Sequence, residues 1–250
     1  IHNALLIGLF AIILWLPSFF LENIEAIRLP VEPMPLFKFL AGLMDGNVDL
    51  SRIVALAFLL FQSAMMVRLN ARYILIQQRT FLPAFFFLVI TSFYLPLQSF
   101  TPYIFGSFFF IFIMDLIFNS YKKDPDNYKY FEAGLLIGIG SLFYVRLIYF
   151  LPFIWLASLI LRPFFWREWV FPVLGVVLPY LFLLVWLFWK DQSIHEAFML
   201  FRDNLIHTYT SMKGETPVFI IGGFLFLLIF IASVYMLRVF QFRKIYIRNY

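Results

Sequence analysis

Eight apolar blocks separated by short polar gaps account for almost the whole chain. A membrane-spanning helix needs about 20 mostly apolar residues, with about 17–25 the usual range. The pattern therefore predicts an all-α fold, a polytopic transmembrane helical bundle of about eight spans that forms one integral membrane domain over residues 1–250. The spans are expected near residues 3–21, 52–69, 81–96, 102–119, 131–145, 147–162, 169–189 and 217–238.

The basic residues are distributed unevenly between alternate gaps. Twelve of the nineteen Lys and Arg residues fall in four segments: 68–80, 115–132, 162–168 and the tail from Arg238. The other side holds seven, although it contains the two longest gaps, 22–52 and 190–216. Because Lys and Arg are enriched in cytoplasmic loops, this bias predicts that both termini are cytoplasmic. The two long loops then lie on the outer side.

Each long outer loop contains a stretch in which apolar residues follow helical spacing. The first begins after Pro33 and Pro35 and stops at Asp45-Gly46; its apolar positions are Leu36, Phe37, Leu40, Leu43 and Met44. In the second, Ser193 is a suitable N-cap for a helix whose apolar face carries Ile194, Ala197, Phe198, Phe201 and Leu205. We expect two interfacial amphipathic helices on the outer side. They either cover a membrane cavity or serve only as interfacial packing.

Two regions of the pattern leave alternatives open. Residues 131–162 form either a helical hairpin or one long helix broken around Arg146. The first block is long for the apolar region of a signal peptide and has no small-x-small cleavage site, which favours a retained span.

Composition narrows the classes of function. With 63% hydrophobic and 13% charged residues, the chain is far from the roughly 25% charged content of a soluble domain. It has no cysteine, so thiol catalysis and thiolate metal sites are excluded. The net charge of +5 comes from cations scattered between spans, which indicates contact with membrane lipids rather than with nucleic acid. No phosphate-binding loop, dinucleotide fingerprint or hydrolase motif is present.

Ionisable groups within or beside spans are the first candidates for chemistry, because their burial in lipid is costly. Asp115 lies near the cytoplasmic end of the fourth block, where it either pairs with a nearby Lys or Arg or serves a proton or substrate. Arg146, between Tyr144 and Tyr149, needs an anionic partner if it is buried. That partner is either a substrate phosphate or an acid of the outer loops.

The acids of the first outer loop are the candidate catalytic residues, and a solvated loop entrance without chemistry is the alternative. Glu22 and Glu25 are three residues apart and share a face if the first helix continues, and Asp45 follows later in the loop. The run from Asp45 to Asp49 opens like a calcium-binding loop, but its sixth and twelfth positions are Leu50 and Leu56 instead of Gly and Glu. No metal site is therefore predicted, and the sequence names no cofactor.

Arginines are the candidate contacts to lipid phosphate, because a guanidinium donates two parallel hydrogen bonds to phosphate oxygens. Arg72 and Arg79 fall in an inner gap, where topology anchoring is the alternative. Arg146 and Arg202 fall on the outer side. Gly134, Gly138, Gly140 and Ser141 form a small-residue stripe, which is typical of close helix packing.

Three segments resemble a family of polytopic inner-membrane proteins from Bacteroidota to which no activity is assigned: LNARYILIQQRTFLP, FEAGLLIGIGSLFY and RPFFWREW. The resemblance implies a multi-pass protein of the bacterial inner membrane and no particular catalytic residue. The order of elements also resembles membrane glycosyltransferases that use polyprenyl-phosphate sugars. That likeness implies an acid after the first span as base or metal ligand, matched by Glu22, Glu25 or Asp45, and a basic contact to the lipid phosphate, matched by Arg146 or Arg202.

These observations lead to two hypotheses for an envelope protein that works on the outer side. In the first, the chain is glycosyltransferase-like and acts on polyprenyl-linked glycans at the periplasmic face. In the second, it is a non-catalytic subunit or scaffold of a larger inner-membrane complex, with other membrane subunits as partners. A transporter ranks third, because the two halves show no evident inverted repeat.

Overall fold

The computed structural model describes residues 2–20, 32–44, 47–73, 81–92, 98–122, 128–161, 166–191 and 193–206, with the isolated positions 223, 227 and 231. Over these residues the chain is helical with no strand, which confirms the predicted all-α class. The helices are α1 His2–Phe20, α2 Pro35–Gly42, α3 Val48–Tyr73, α4 Leu82–Ser92, α5 Pro102–Lys122, α6 Tyr128–Ser141, α7 Leu151–Leu161, α8 Trp166–Trp189 and α9 Ile194–Ile206. A 3-10 helix, Val145–Phe150, directly precedes α7.

The chain divides into two compact units, Ile1–Thr208 and Tyr209–Tyr250. The first unit contains all nine α-helices named above. In the second, positions 223, 227 and 231 are helical, and they fall within the eighth predicted block. The single domain over residues 1–250 stays a prediction.

Three helices in the described part of the chain are long and apolar enough to cross a membrane: α3, residues Pro102–Ser120 of α5, and α8. Shorter apolar helices are Gly8–Phe20, Leu82–Ser92 and Val145–Leu159. Large apolar side chains, such as Phe182 and Phe188 of α8, are exposed along them, as expected where lipid replaces water. The chain therefore has the helices of a membrane protein, and the count of eight spans stays a prediction.

Within the stretch with two open interpretations, residues 131–161 form separate helices rather than one long broken helix. Helix α6 ends at Ser141, and the backbone N–H of Tyr144 donates to the carbonyl oxygen of Gly140 at 2.8 Å. The 3-10 helix and α7 follow. Arg146 lies in the first turn of the 3-10 helix, so the predicted break falls where one helix stops and another starts.

Helices α6 and α8 approach each other through glycines. A Cβ atom added to Gly134 would lie 2.1 Å from the carbonyl oxygen of Pro172, and one added to Gly175 would lie 2.3 Å from that of Phe131. A Cβ on Gly138 would lie 2.8 Å from the carbonyl oxygen of Val176. Only hydrogen fits at these positions, so the small-residue stripe serves close helix packing, as predicted.

Polar side chains link the helices elsewhere in the bundle. Gln62 of α3, which is buried, donates to the carbonyl oxygen of Ile104 at 2.9 Å and accepts from the Ser107 hydroxyl at 3.0 Å. The Trp15 indole N–H of α1 donates to the Ser92 hydroxyl of α4 at 2.9 Å. In an apolar environment such bonds are worth about 0.6–2 kcal/mol each, so they specify which helices are neighbours.

The α6–α8 contact can be tested with a single methyl group. We expect Gly134→Ala to lower the free energy of unfolding in detergent by about 1–3 kcal/mol, because the added Cβ forces the two helices apart. Gly8→Ala is the matched control, since a Cβ at Gly8 meets no atom within 4 Å. Thermal unfolding of both variants is the measurement. Equal stability of the two variants would contradict the close packing of α6 and α8.

Candidate functional site

A cavity of about 1170 Å³ lies between α2, α8 and α9. This volume slightly exceeds the roughly 300–1,000 Å³ of ordinary small-molecule sites. The helices α2 and α9 come from the two loops that the charge bias places on the outer side. Of the two roles left open for these helices, the first requires a cavity between them; that this cavity lies in a membrane, on its outer side, stays a prediction.

One wall of the cavity is apolar and belongs to α8. Five of its side chains recur at helical spacing along one face: Pro179, Phe182, Leu183, Trp186 and Leu187. Gly138 of α6 contacts Pro179 closely, because a Cβ on this glycine would lie 2.9 Å from the proline Cγ. The α6–α8 contact therefore sets the position of this wall.

The rest of the lining is mixed, because apolar side chains of α2, α9 and Leu142 lie among polar ones that come from α2, α9 and the residues just before them. Six polar side chains contribute: Glu32, Lys38, Ser193, His195, Glu196 and Asp203. Two ion pairs occur here, from Lys38 Nζ to Glu32 Oε2 at 3.7 Å and from Arg202 Nη2 to Asp203 Oδ1 at 3.1 Å. Both pairs are well exposed, so each contributes at most about 1 kcal/mol and opens easily.

Helix α2 is held by its buried side chain and its backbone. Phe37 is buried and stacks on Phe100 at a ring separation of 5.3 Å. The Leu36 N–H donates to the carbonyl oxygen of Leu142 at 3.3 Å, just beyond the end of α6. Phe39 and Leu43 are exposed. The N-terminal turn of α2 is thereby fixed beside the cavity.

Helix α9 is held by three different contacts. Asn204 is fully buried and donates to the carbonyl oxygens of Glu32 at 2.8 Å and Leu200 at 2.9 Å. Phe201 packs edge-on against Tyr180 of α8 at 5.5 Å, and the Tyr149 hydroxyl donates to the Leu205 carbonyl oxygen at 3.4 Å. Asn204 therefore ties the segment that carries Glu32 to the helix that carries Asp203.

The two features predicted for α9 have different outcomes. Ser193 accepts from the Glu196 N–H at 3.4 Å, which confirms it as the N-cap. From the predicted apolar face, Ile194 and Phe198 are exposed, and Phe201 is half-buried. The interfacial position of this helix stays a prediction.

The predicted phosphate contacts on the outer side lie in different places. Arg202 is adjacent to Asp203 of the cavity lining and is paired with it. Arg146 is half-buried in the 3-10 helix, outside the cavity lining, and hydrogen-bonds Tyr144. In the structure, Arg146 is therefore hydrogen-bonded to a tyrosine side chain.

Asp115 pairs with Arg72, the first of the two interpretations given to it. The Arg72 Nη1 atom lies 3.1 and 3.2 Å from the two carboxylate oxygens, and the Tyr73 hydroxyl donates to one of them at 2.8 Å. This cluster joins the C-terminal ends of α3 and α5. Contact of Arg72 with lipid phosphate stays a prediction.

The remaining predicted site residues lie outside the described residues: Glu22, Glu25, Asp45 and Arg79. Asn47, within the failed calcium motif, caps α3 by accepting from the N–H groups of Asp49 and Leu50 at 3.1 Å each. In the described ranges, no group of three His, Asp or Glu side chains is arranged to hold a metal ion.

Sequence reasoning did not select Lys38, Glu196 or Trp186 as site residues. Lys38 and Glu196 lie in the two outer helices, and a comparison of their polar faces would have pointed to them. Trp186 follows the pattern of an ordinary lipid-facing residue, so no local signal distinguishes it.

Comparisons with protein-family models, curated proteins and solved structures return no match to this chain. The two family resemblances stay predictions, and the function must be inferred from the geometry of the cavity.

The role of Asn204 can be tested by hydrogen exchange. We expect Asn204→Leu, which is similar in size but has no donor, to leave the Glu32 carbonyl group unsatisfied at a cost of about 1–3 kcal/mol. Amide exchange should accelerate in residues 33–36 and in α9, and stay unchanged in α3 and α5. Ile206→Ala is the control on the same helix, since Ile206 is exposed. Unchanged exchange in α9 of the Asn204→Leu protein would show that Asn204 does not hold the two segments together.

Proposed function

We propose that this chain is a multi-pass protein of the bacterial inner membrane that acts on a polyprenyl-linked glycan in the cavity between α2, α8 and α9. The observation that supports the proposal is that one large cavity has both an apolar α8 wall and a charged rim. The rim consists of Glu32, Lys38, Glu196 and Asp203, with Arg202 paired to Asp203. A ligand that satisfies both surfaces is amphiphilic. Its chain contacts Phe182, Leu183 and Trp186, and its polar head reaches Glu32, Lys38 and Asp203.

The reaction we propose is glycosyl transfer to an acceptor hydroxyl. Glu32 removes the hydroxyl proton while the acceptor oxygen bonds to the anomeric carbon. The bond from that carbon to the lipid phosphate oxygen breaks, and the phosphate leaves with the electron pair. Arg202 stabilises the negative charge of the departing phosphate. The proton ends on the Glu32 carboxylate.

The exposed ion pairs of the rim suit this reaction. The lipid phosphate competes with Asp203 for Arg202, and a rotation of Glu32 away from Lys38 frees its carboxylate for the acceptor. Each exchange opens a weak surface pair. Glu32 belongs to the first outer loop, the segment in which the catalytic acid is predicted, and Glu22, Glu25 and Asp45 stay candidates from the same loop.

Substitution of the rim residues tests the catalytic role. We expect Glu32→Gln to reduce the glycan product about 10²–10⁴-fold, the usual contribution of a general base, with polyprenyl phosphate binding within about twofold of the unchanged protein. Arg202→Gln should weaken binding about tenfold, because a charge-assisted hydrogen bond is lost. The glycan product is measured by analysis of envelope glycans in cells whose only copy carries the change, and binding is measured with polyprenyl phosphate and the purified variants.

Asp191→Asn is the control for this experiment, since Asp191 is exposed and does not belong to the cavity lining. Normal glycans in the Glu32→Gln and Arg202→Gln cells would contradict a catalytic role for this rim. If such cells also need the protein for assembly of a membrane complex, the second hypothesis, a non-catalytic subunit, takes its place.

The orientation of the chain has a separate test. Because the chain has no cysteine, single cysteines can be labelled cleanly. We expect Glu196→Cys in α9 to react with a membrane-impermeant maleimide in spheroplasts, and Ala71→Cys near the end of α3 to react only after lysis. Both positions are exposed in the structure, so local burial does not explain a difference. The reverse labelling pattern would place the cavity on the cytoplasmic side and contradict the proposal.

A further inference from the structure

A second, smaller hollow of about 470 Å³ lies on the C-terminal half of α8. Its lining comes from α8 and the residue after it: Phe182, Val185, Trp186, Trp189 and Lys190. These positions recur at helical spacing, so they share one face of the helix. We call this hollow the α8 groove.

The α8 groove and the larger cavity have a common wall. Phe182 and Trp186 line both spaces, and both side chains are largely exposed. Only these two side chains are common to the two linings. Phe182 and Trp186 therefore form the boundary between the groove and the cavity.

The α8 groove has a cation at one end. The Lys190 ammonium lies 5.4 Å from the centre of the Trp186 ring. Lys38, Arg52, Arg72 and Arg202 each form an ion pair with a carboxylate. In the part of the chain that the structure describes, Lys190 has no carboxylate within 4 Å. Its charge is thus available to an external anion, next to an apolar surface.

Helix α8 ends at this point, which places the lysine at the end of a membrane-length helix. Asp191 adopts a left-handed conformation with φ of 50°, and the Lys190 N–H donates to the Trp186 carbonyl oxygen at 3.1 Å. The ends of membrane helices lie at the depth of lipid head groups. A phosphate at that depth is within reach of Lys190 while its chain lies along α8.

We propose that the α8 groove is the lateral entrance for the lipid-linked substrate. Lys190 binds the phosphate of a polyprenyl phosphate, Val185 and Trp189 contact the first part of its chain, and Trp186 separates this position from the cavity. The inference rests on the proposed function, because it assigns the route of the same lipid to the same site. The commitment is to a polyprenyl phosphate within the membrane.

The test uses the full chain in neutral phosphatidylcholine nanodiscs with a photoreactive polyprenyl phosphate carrying a diazirine near its phosphate. We expect crosslinks in residues 182–190 and in α9. We expect Lys190→Gln to bind the probe about tenfold more weakly, since a charge-assisted hydrogen bond is lost. Lys190→Arg, which keeps the charge, should stay within about twofold.

Arg167→Gln is the matched control at the opposite end of the same helix. Arg167 is exposed and lies over the Trp166 ring at 5.8 Å. It therefore pairs with an aromatic ring as Lys190 does, but it does not line the groove. Uncharged polyprenol should bind much more weakly than the probe. Excess inorganic phosphate should not displace it, because the chain contributes to binding.

Each outcome decides between the entrance and the cavity. Unchanged probe affinity in Lys190→Gln, with crosslinks to α9 retained, would overturn the entrance and leave the proposed function standing. Displacement of the probe by an equal amount of phosphatidylglycerol would identify the groove as a general anionic phospholipid site and also overturn it. Absence of any probe binding would overturn both proposals.

Discussion

The close approach of α6 and α8 is the constraint on which the rest of the structure depends. Gly134 and Gly138 on one helix and Gly175 on the other allow the two backbones to come together at distances that a Cβ would prevent. This contact fixes α8, so its C-terminal half presents Pro179, Phe182 and Trp186 as one wall. The turn after α6 then supplies Leu142, whose carbonyl oxygen accepts from α2. The cavity exists because a packing contact elsewhere along these two helices holds its wall in place.

Lipid as the surrounding solvent explains where the charges are. Large apolar side chains remain exposed along α1, α4 and α8 at no cost, whereas ionisable groups collect at helix ends. The C-terminal ends of α3 and α5 carry the cluster of Arg72, Tyr73 and Asp115, whose side chains bind one another. The edge of the cavity carries two exposed ion pairs, Lys38 with Glu32 and Arg202 with Asp203. The first arrangement is suited to anchoring helices, and the second has polar groups that can exchange partners with a ligand.

The local sequence pattern is sufficient to predict several of these features. Apolar block lengths located the helices, Ser193 was identified as a cap by its residue type, and the glycine spacing on α6 indicated close packing. The cost of a lone carboxylate in lipid marks Asp115 as either paired with a basic residue or active toward a proton or substrate, and the structure shows the pair with Arg72. Each of these inferences depends on residues that are neighbours on one helix, or on a general cost that applies wherever the residue lies.

The cavity could not be predicted in the same way, because it depends on residues far apart in the chain. Asn204 bonds to Glu32 across 172 positions, and nothing near either residue signals the contact. In lipid, an exposed apolar stripe and a buried one have the same composition. The sequence therefore does not show which face of α9 is buried, or that Trp186 lines a cavity. The sequence places Lys38 on a polar helix face, but its position beside Glu32 at the cavity depends on how α2 packs in the fold.

The central claim is that an anionic amphiphile occupies the space between α2, α8 and α9. A cryo-EM map of the protein in a nanodisc with a polyprenyl phosphate tests it most directly. We expect head-group density beside Glu32 and Arg202 with chain density along Phe182 and Trp186. Density for the lipid elsewhere, with the cavity closed by packing of α9 onto α8, would contradict it.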